Sequence, residues 1–450
     1  MGNAGNINIT SQNGILIQDN GEILAETEEF LGSPIGNAGD IEINTSQLSI
    51  FDSGKISSST IFNQGNAGNI NISANLIELK GESFIDATAF GSNTGTAGDI
   101  NIETDRLIVS DASQISVGTS SQSNAGNLTI NAKESIELSG ATESSRGGLI
   151  ANAVDGSGNV GNINIFTNEL TIQDEATIQA SNFPSGENFS FFPPGTGQPG
   201  NINIQANSIN LENGGRIEAA TQSETGEAAN ITLNVADDIT LEDDSFISAR
   251  ALNNADGGNL NINTNFIVAF PNQNNDIIAN ADQGNGGNIN ITAESIFGIE
   301  ERSLNDLTND INASSALGAQ FDGTVAITIP DINAIQTETQ VPNSLIESDK
   351  TPEQACQSNR INAAKNGLNI LGKGGIPPEA IEPLQADNLI IDSKFVANYI
   401  SPEIEPIETD NGDIYPARGI IKTADGGIIL TAYPTENIPT RTPIVKPNCN

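Results

Sequence analysis

The chain has 450 residues, and 57 Asp and Glu against 17 Lys and Arg give it a formal charge of −40. A field of that sign repels nucleic acid and anionic membrane, so both are disfavoured as partners. The sequence contains no His, which excludes Ser-His-Asp and Cys-His catalytic pairs and histidine metal sites.

From its first residues the chain is organised by one phrase, Gly-Asn-Ile-Asn-Ile, seen first at Gly5 to Ile9. It returns with small edits at Gly39, Gly68, Gly98, Gly126, Gly161, Gly200, Ala229, Gly258 and Gly287, and a degenerate copy starts at Gly323. Most intervals are close to 29 residues, with longer ones of 34 to 39. A period of this size marks a repeat architecture. Met1 and Gly2 lead straight into the pattern, and a secretory signal is expected to lie upstream of the residues given. No apolar run reaches the roughly 18 residues of a membrane-spanning helix.

Within a repeat, three alternating segments precede a loop of small residues. In the copy at Gly68, Ile70 and Ile72 alternate with Asn69 and Asn71, Ile77 and Leu79 straddle Glu78, and Ile85 precedes Asp86 and Ala87. Alternation puts the apolar residues of each segment on one face. A single copy cannot bury that face, whereas stacked copies bury it by pairing each strand with its equivalent one turn later. The expected fold is all-β: a right-handed parallel β-helix of about 10–11 turns over residues 1–329, with three short strands per turn. Ile7, Ile41, Ile70, Ile100, Leu128, Ile163, Ile202, Ile231, Leu260 and Ile289 would form one inward file. Ile9, Ile43, Ile72, Ile102 and their equivalents would form the next. The small residue opening each copy suits a tight corner. The outward Asn column (Asn69, Asn162, Asn201, Asn230, Asn259, Asn288) reads as an amide ladder stiffening the face, or as an array offered to a glycan or cell.

Length variation falls mostly between the third strand and the next phrase. The largest insertion, between Ile178 and Gly200, gathers Phe183, Phe189, Phe191 and Phe192 among prolines. Apolar concentration on a polar body marks a candidate contact loop, the alternative being self-packing on the solenoid flank. Carboxylate chemistry has two candidate pairs, Asp237 with Asp238 and Asp243 with Asp244. Each pair is adjacent in sequence and flanks the second strand, which suits solvated turns better than an acid/base couple. No calcium-binding nonapeptide or EF-hand loop occurs, and no cofactor is expected.

After Gly287 the pattern loosens. Segment 298–322 reads as a short helical cap followed by a third strand at Ile311, before the last turn at Gly323. Residues 330–355 are polar and proline-bearing, an extended linker or strap. Residues 356–450 form a small β-containing domain, with strands at Asn388–Asp392, Gly419–Thr423 and Gly427–Tyr433, the last two joined as a hairpin. The Gly372 to Pro378 stretch lacks the surroundings of a phosphate loop. Cys356 and Cys449 are either two separate thiols or a disulfide closing a long loop, which the chain-entropy model values at about 4–5 kcal/mol.

The iterated G-N-A-G-N-I phrase and the Ile-Ser/Ala third strands resemble the filamentous-haemagglutinin-like exoproteins of two-partner secretion, particularly the large cyanobacterial ones. The tail is similar too, through the VPNSLI strap, Cys356, GKGGIPP, GGIILTA and the terminal Pro-Asn-Cys449. The resemblance implies a secreted or cell-surface adhesin, exported through an outer-membrane transporter barrel and folded outside. Cells, glycans or matrix would be its partners, and no enzymatic activity is implied. The alternatives are a passive surface-layer component and a β-helical polysaccharide lyase or hydrolase. The residues given do not include the N-terminal secretion domain of the family, and the chain is expected to be the C-terminal portion of a longer exoprotein. The wide spacing of Cys356 and Cys449 departs from the short cysteine loop that tethers some relatives.

Overall fold

A computed structural model describes residues 2–329, apart from 29–35, 63, 92–94, 143–145, 184–192, 225 and 227, and four short strands between 407 and 431. Among the described residues there is no helix. The chain divides into two units, Met1–Ile332 and Asn333–Asn450.

The first unit is a parallel β-solenoid. The repeated phrase forms strands that stack in one sheet, running from Ile7–Ser11 through Ile41–Thr45 and Ile70–Ser73 to Asn288–Thr292 and Thr324–Thr328. Register is unbroken: Ile7 lies beside Ile41, Ile41 beside Ile70, and Ile70 beside Ile100. The file continues through Leu128, Ile163, Ile202, Ile231, Leu260 and Ile289 to Val325. The second file, starting at Ile9 and Ile43, runs beside it to Ile327. From Ile41 to Ile289 the first file is fully buried. Each such side chain contributes about 1.5–3 kcal/mol of apolar burial. The main core is one continuous cluster from Ile17 to Ala313, with a small separate cluster of Ala228, Ala251, Ala255 and Ala281.

The three expected segments are present, but they make two sheets. In five turns the first and second segments fuse into one long strand, as in Ile100–Val109, Leu128–Ser139 and Ile231–Leu241. The register slips at the join, between Thr104 and Arg106 and between Ala132 and Ser135. An extra residue there lets the chain bend while both segments stay in one sheet. The third segments form the second sheet, where Ile23, Ile56, Ile85, Ile115, Leu149 and Ile178 follow one another in register.

Two local corrections concern the corners. The glycine opening each phrase is required by stacking between turns. A Cβ on Gly98 would lie 1.9 Å from the carbonyl oxygen of Gly68, and one on Gly126 would lie 1.9 Å from that of Gly98. The left-handed backbone falls instead between the second and third segments, at Asp52 and Ser53, Asp111 and Ala112, Asp174 and Glu175, and Asp243 and Asp244. Asp and Asn tolerate this region best among residues with a side chain. The expected helical cap at 298–309 is also absent. Glu300–Glu301 is a strand beside Asp310–Asn312 and ends the second sheet. Arg302 bridges Glu300 and Asp310 and holds that stretch extended.

In the second unit the described strands are two antiparallel pairs. Gly419–Lys422 pairs with Ile428–Thr431, the hairpin expected from the sequence. Ile407–Thr409 pairs with Gly412–Ile414. The expected strand at Asn388–Asp392 and the strap at 330–355 lie outside the described residues.

Candidate functional site

The outward positions of the solenoid fall into three surfaces. The first is the Asn column of the repeated phrase. Along most of the column the side-chain Oδ1 accepts the backbone N–H of its equivalent one turn later: Asp40 from Asn69 at 2.8 Å, Asn69 from Asp99 at 2.9 Å, and Asn162 from Asn201 at 2.9 Å. Asn201 accepts likewise from Asn230 at 3.0 Å. At the far end Asn259 accepts from Asn288 Nδ2 at 2.8 Å and Asn288 from Thr324 Oγ1 at 2.6 Å. Because the shared group is Oδ1, Asp40 and Asp99 serve as well as Asn. These oxygens are occupied within the rod, so the column acts as scaffold.

The second surface is a groove where the first and second segments bend past each other. It has a volume of about 340 Å³ and is lined by Phe166, Gln205, Asn207, Asn234 and Asn263 over a floor of Thr167, Ala206 and Val235. Phe166, Gln205, Asn234 and Asn263 are register partners on consecutive turns, so they form one outward row along the axis. The neighbouring outward row is laddered on either side of Thr232, with Asn203 donating to Asn164 at 3.0 Å and Asn290 to Asn261 at 3.1 Å. The side chains of Gln205, Asn234 and Asn263 make no hydrogen bond with any described residue. Phe166 is 45% exposed. The lining carries no charged side chain, although Asp237, the residue after Ala236, is exposed.

The third surface is the outer face of the second sheet, where cations of this acidic chain collect. Lys55 sits 2.8 Å from Glu26 and 3.8 Å from Asp86. Burial raises the Asp86 pKa, and the opposing pull of Lys55, Ser59 and Ser57 does not cancel it. Burial works against the Lys55 ammonium, yet Asp86 and Glu26 hold its pKa above the usual value. Five turns along from Lys55, the Arg216 guanidinium lies 4.9 Å from the centre of the Phe246 ring. Burial, with Arg146 nearby, lowers the Arg216 pKa.

Beside this pair, Arg250 Nη2 approaches Glu218 Oε1 at 3.2 Å without the alignment of a hydrogen bond. Glu218 Oε1, Ser248 Oγ and Arg250 Nε are buried with no hydrogen-bond partner. At the far end Asp276 accepts the N–H of Asp310 at 2.9 Å. Burial, with Asp310 and Asp306 close by, pushes the Asp276 pKa up to about 6.

The residues singled out in the sequence do not converge. Phe183 is half-buried at the base of its insertion. That base is pinned by Asn182, whose Nδ2 donates to Gly195 O and Thr221 Oγ1, both at 2.9 Å. Phe189, Phe191, Phe192, Cys356 and Cys449 lie outside the described residues. Asp238 is half-buried and accepts from Thr240 Oγ1 at 3.1 Å, and burial raises its pKa. Asp243 and Asp244 occupy a left-handed corner, where Asp243 accepts from Gln273 at 2.6 Å and Asp244 from the Asn274 N–H at 3.2 Å.

Sequence reading missed the groove. Its one signal was Phe166, an aromatic residue in a row that is otherwise polar. Among the described residues no group of three or more Asp, Glu or Cys is placed to hold a metal ion, and no helix is long and apolar enough to cross a membrane. No family model, no curated protein and no solved structure matches the chain.

Proposed function

We propose that this chain is the β-helical rod of a secreted, adhesin-type exoprotein of the two-partner-secretion class. It would leave the cell through an outer-membrane transporter barrel and act outside by non-catalytic, multivalent contact. The observation that carries this reading is the unbroken register of the phrase strands from Ile7 to Val325. At about 4.8 Å per turn, that file makes a stiff body on the order of 50 Å long. A stiff body holds side chains on successive turns at fixed spacing, so weak contacts add through effective concentration. Loops that vary in length at one corner, while the core does not, fit a scaffold that presents them. The resemblance of the repeats and the tail to filamentous-haemagglutinin-like exoproteins supports the same assignment.

Beads coated with the purified chain test the reading. They are expected to adhere to cells or extracellular matrix above the level of beads coated with an unrelated acidic protein. Adhesion no better than that control would reject the adhesin role and favour a passive coat. Release of soluble sugar from a polysaccharide panel would instead favour an enzyme.

A further inference from the structure

We infer that the groove along Phe166, Gln205, Asn234 and Asn263 is a binding site for a neutral glycan lying parallel to the solenoid axis. The inference rests on the adhesin reading and names the ligand class for one face of the rod.

Three observations lead to it. The first is the contrast between adjacent rows on one sheet. In one row Asn203 donates to Asn164 and Asn290 to Asn261, with Thr232 interrupting the ladder between Asn203 and Asn261. In the next row Gln205, Asn234 and Asn263 have no partner among the described residues, although they stand on consecutive turns at the same spacing. Their donors and acceptors are therefore available to a ligand. Asn207 adds another acceptor. Its Nδ2 donates to Asn168 Oδ1, but one turn later Ala236 and Asp237 oppose it at a register slip and neither side chain carries a donor for the Asn207 Oδ1.

The second observation is the chemistry of the lining. Each amide carries a donor and an acceptor, which is what a hydroxyl group, itself both donor and acceptor, requires. The exposed Phe166 ring offers a flat apolar face with a negative quadrupole. A pyranose presents C–H groups on one face and hydroxyls at its edge, so one ring can stack on Phe166 while its neighbours meet the amides. The spacing agrees. Side chains on successive turns are about 4.8 Å apart, and sugars in an extended chain repeat on a comparable length. The volume of about 340 Å³ is at the small end of ligand pockets, enough for a short stretch of glycan.

The third observation is charge. The lining has no ionisable group, while Asp237 is exposed next to it and the chain as a whole carries −40. Anionic sugars would enter against that field with no cation to receive them. Neutral glycans meet no such barrier.

Affinity electrophoresis of the full chain tests the proposal. Native gels are cast with neutral polysaccharides (β-glucan, starch, xylan, mannan, dextran) or with anionic ones (polygalacturonate, alginate, dextran sulfate). Retardation by at least one neutral polymer is expected. Phe166→Ala is expected to weaken it about tenfold, the scale of losing an aromatic anchor from an interface. An Asn234→Ala/Asn263→Ala double variant is expected to weaken it by a similar factor. All three positions are exposed, and unchanged far-ultraviolet circular dichroism and melting would confirm folding. Phe266→Ala, at an exposed ring outside the groove, is expected to leave retardation unchanged.

The proposal is overturned by no retardation in any neutral gel, by retardation in anionic gels alone, or by full retention in both groove variants. The bead assay separates this outcome from that of the adhesin reading. Adhesion that persists in Phe166→Ala beads after glycan retardation is lost leaves the groove assignment standing and places cell contact elsewhere. Retardation without any adhesion also leaves the groove standing and removes the adhesin role.

Discussion

The Oδ1 of Asp99 accepts the backbone N–H of Asn127, one turn further along the rod, at 2.7 Å. Neighbouring pairs in the column repeat this bond, and it explains why the phrase accepts Asn or Asp but little else. Asp99→Asn keeps the acceptor and removes one negative charge, so its urea midpoint is expected to match or slightly exceed that of the native chain. Asp99→Ala removes the acceptor and is expected to lose about 1 kcal/mol. Equal stability of the two variants would show that the bond contributes nothing.

Glycine substitutions should divide by position. Gly98→Ala puts a methyl group 1.9 Å from the Gly68 oxygen, so two turns must part. A loss of about 1–3 kcal/mol is expected, as for other overpacked sites. Gly5→Ala, with nothing within 4 Å of its Cβ, is the matched control and should change little in the same urea titration.

Asp276 makes stability depend on pH in a stated direction. Its folded pKa of about 6 lies above the ordinary 3.8. The folded state therefore holds a proton that the unfolded chain has released, and this contribution to stability falls as pH rises from about 4 to about 6. Above pH 6 the buried charge carries its full cost, at most about 3 kcal/mol. Asp276→Asn keeps the acceptor for the Asp310 N–H and removes the charge. It is expected to raise the urea midpoint at pH 8 and to leave it unchanged at pH 3.5. A gain of the same size at both values would contradict the assignment.

Ser248 should be better replaced than kept. It is 0% exposed and its Oγ has no partner, so the hydroxyl was desolvated without compensation. Ser248→Ala is expected to stabilise the solenoid by up to about 1 kcal/mol. A loss of stability on urea titration would mean that the hydroxyl has a partner after all.

The core was legible in the sequence because side-chain alternation and a fixed phrase are both one-dimensional signals. Ile41, Ile70 and Ile100 could be placed side by side from spacing alone, and the hairpin ending at Thr431 from its turn residues. The bend between first and second segments was not legible, since the extra residue at Lys133 or Asp237 disturbs no apolar position. Nor were the left-handed corners: Asp opens each of them, at Asp52, Asp111, Asp174 and Asp243, but an Asp between two strands reads equally well as any solvated turn residue. The groove escaped for a related reason. Gln205, Asn234 and Asn263 look like the laddered Asn residues beside them, and only coordinates reveal which amides are already engaged.

The direction of the side-chain bonds has a consequence for assembly. In the bonds from a side-chain Oδ1 to a backbone N–H along the Asn column the earlier residue accepts and the later one donates, as with Asp40 and Asn69 or Asn201 and Asn230. A coil already in place thus displays a line of bare oxygens toward polypeptide that has yet to arrive, and the incoming segment supplies the hydrogens. Growth from the amino end would always find its template waiting, whereas growth from the carboxyl end would have to hold its acceptors back until the preceding coil was laid.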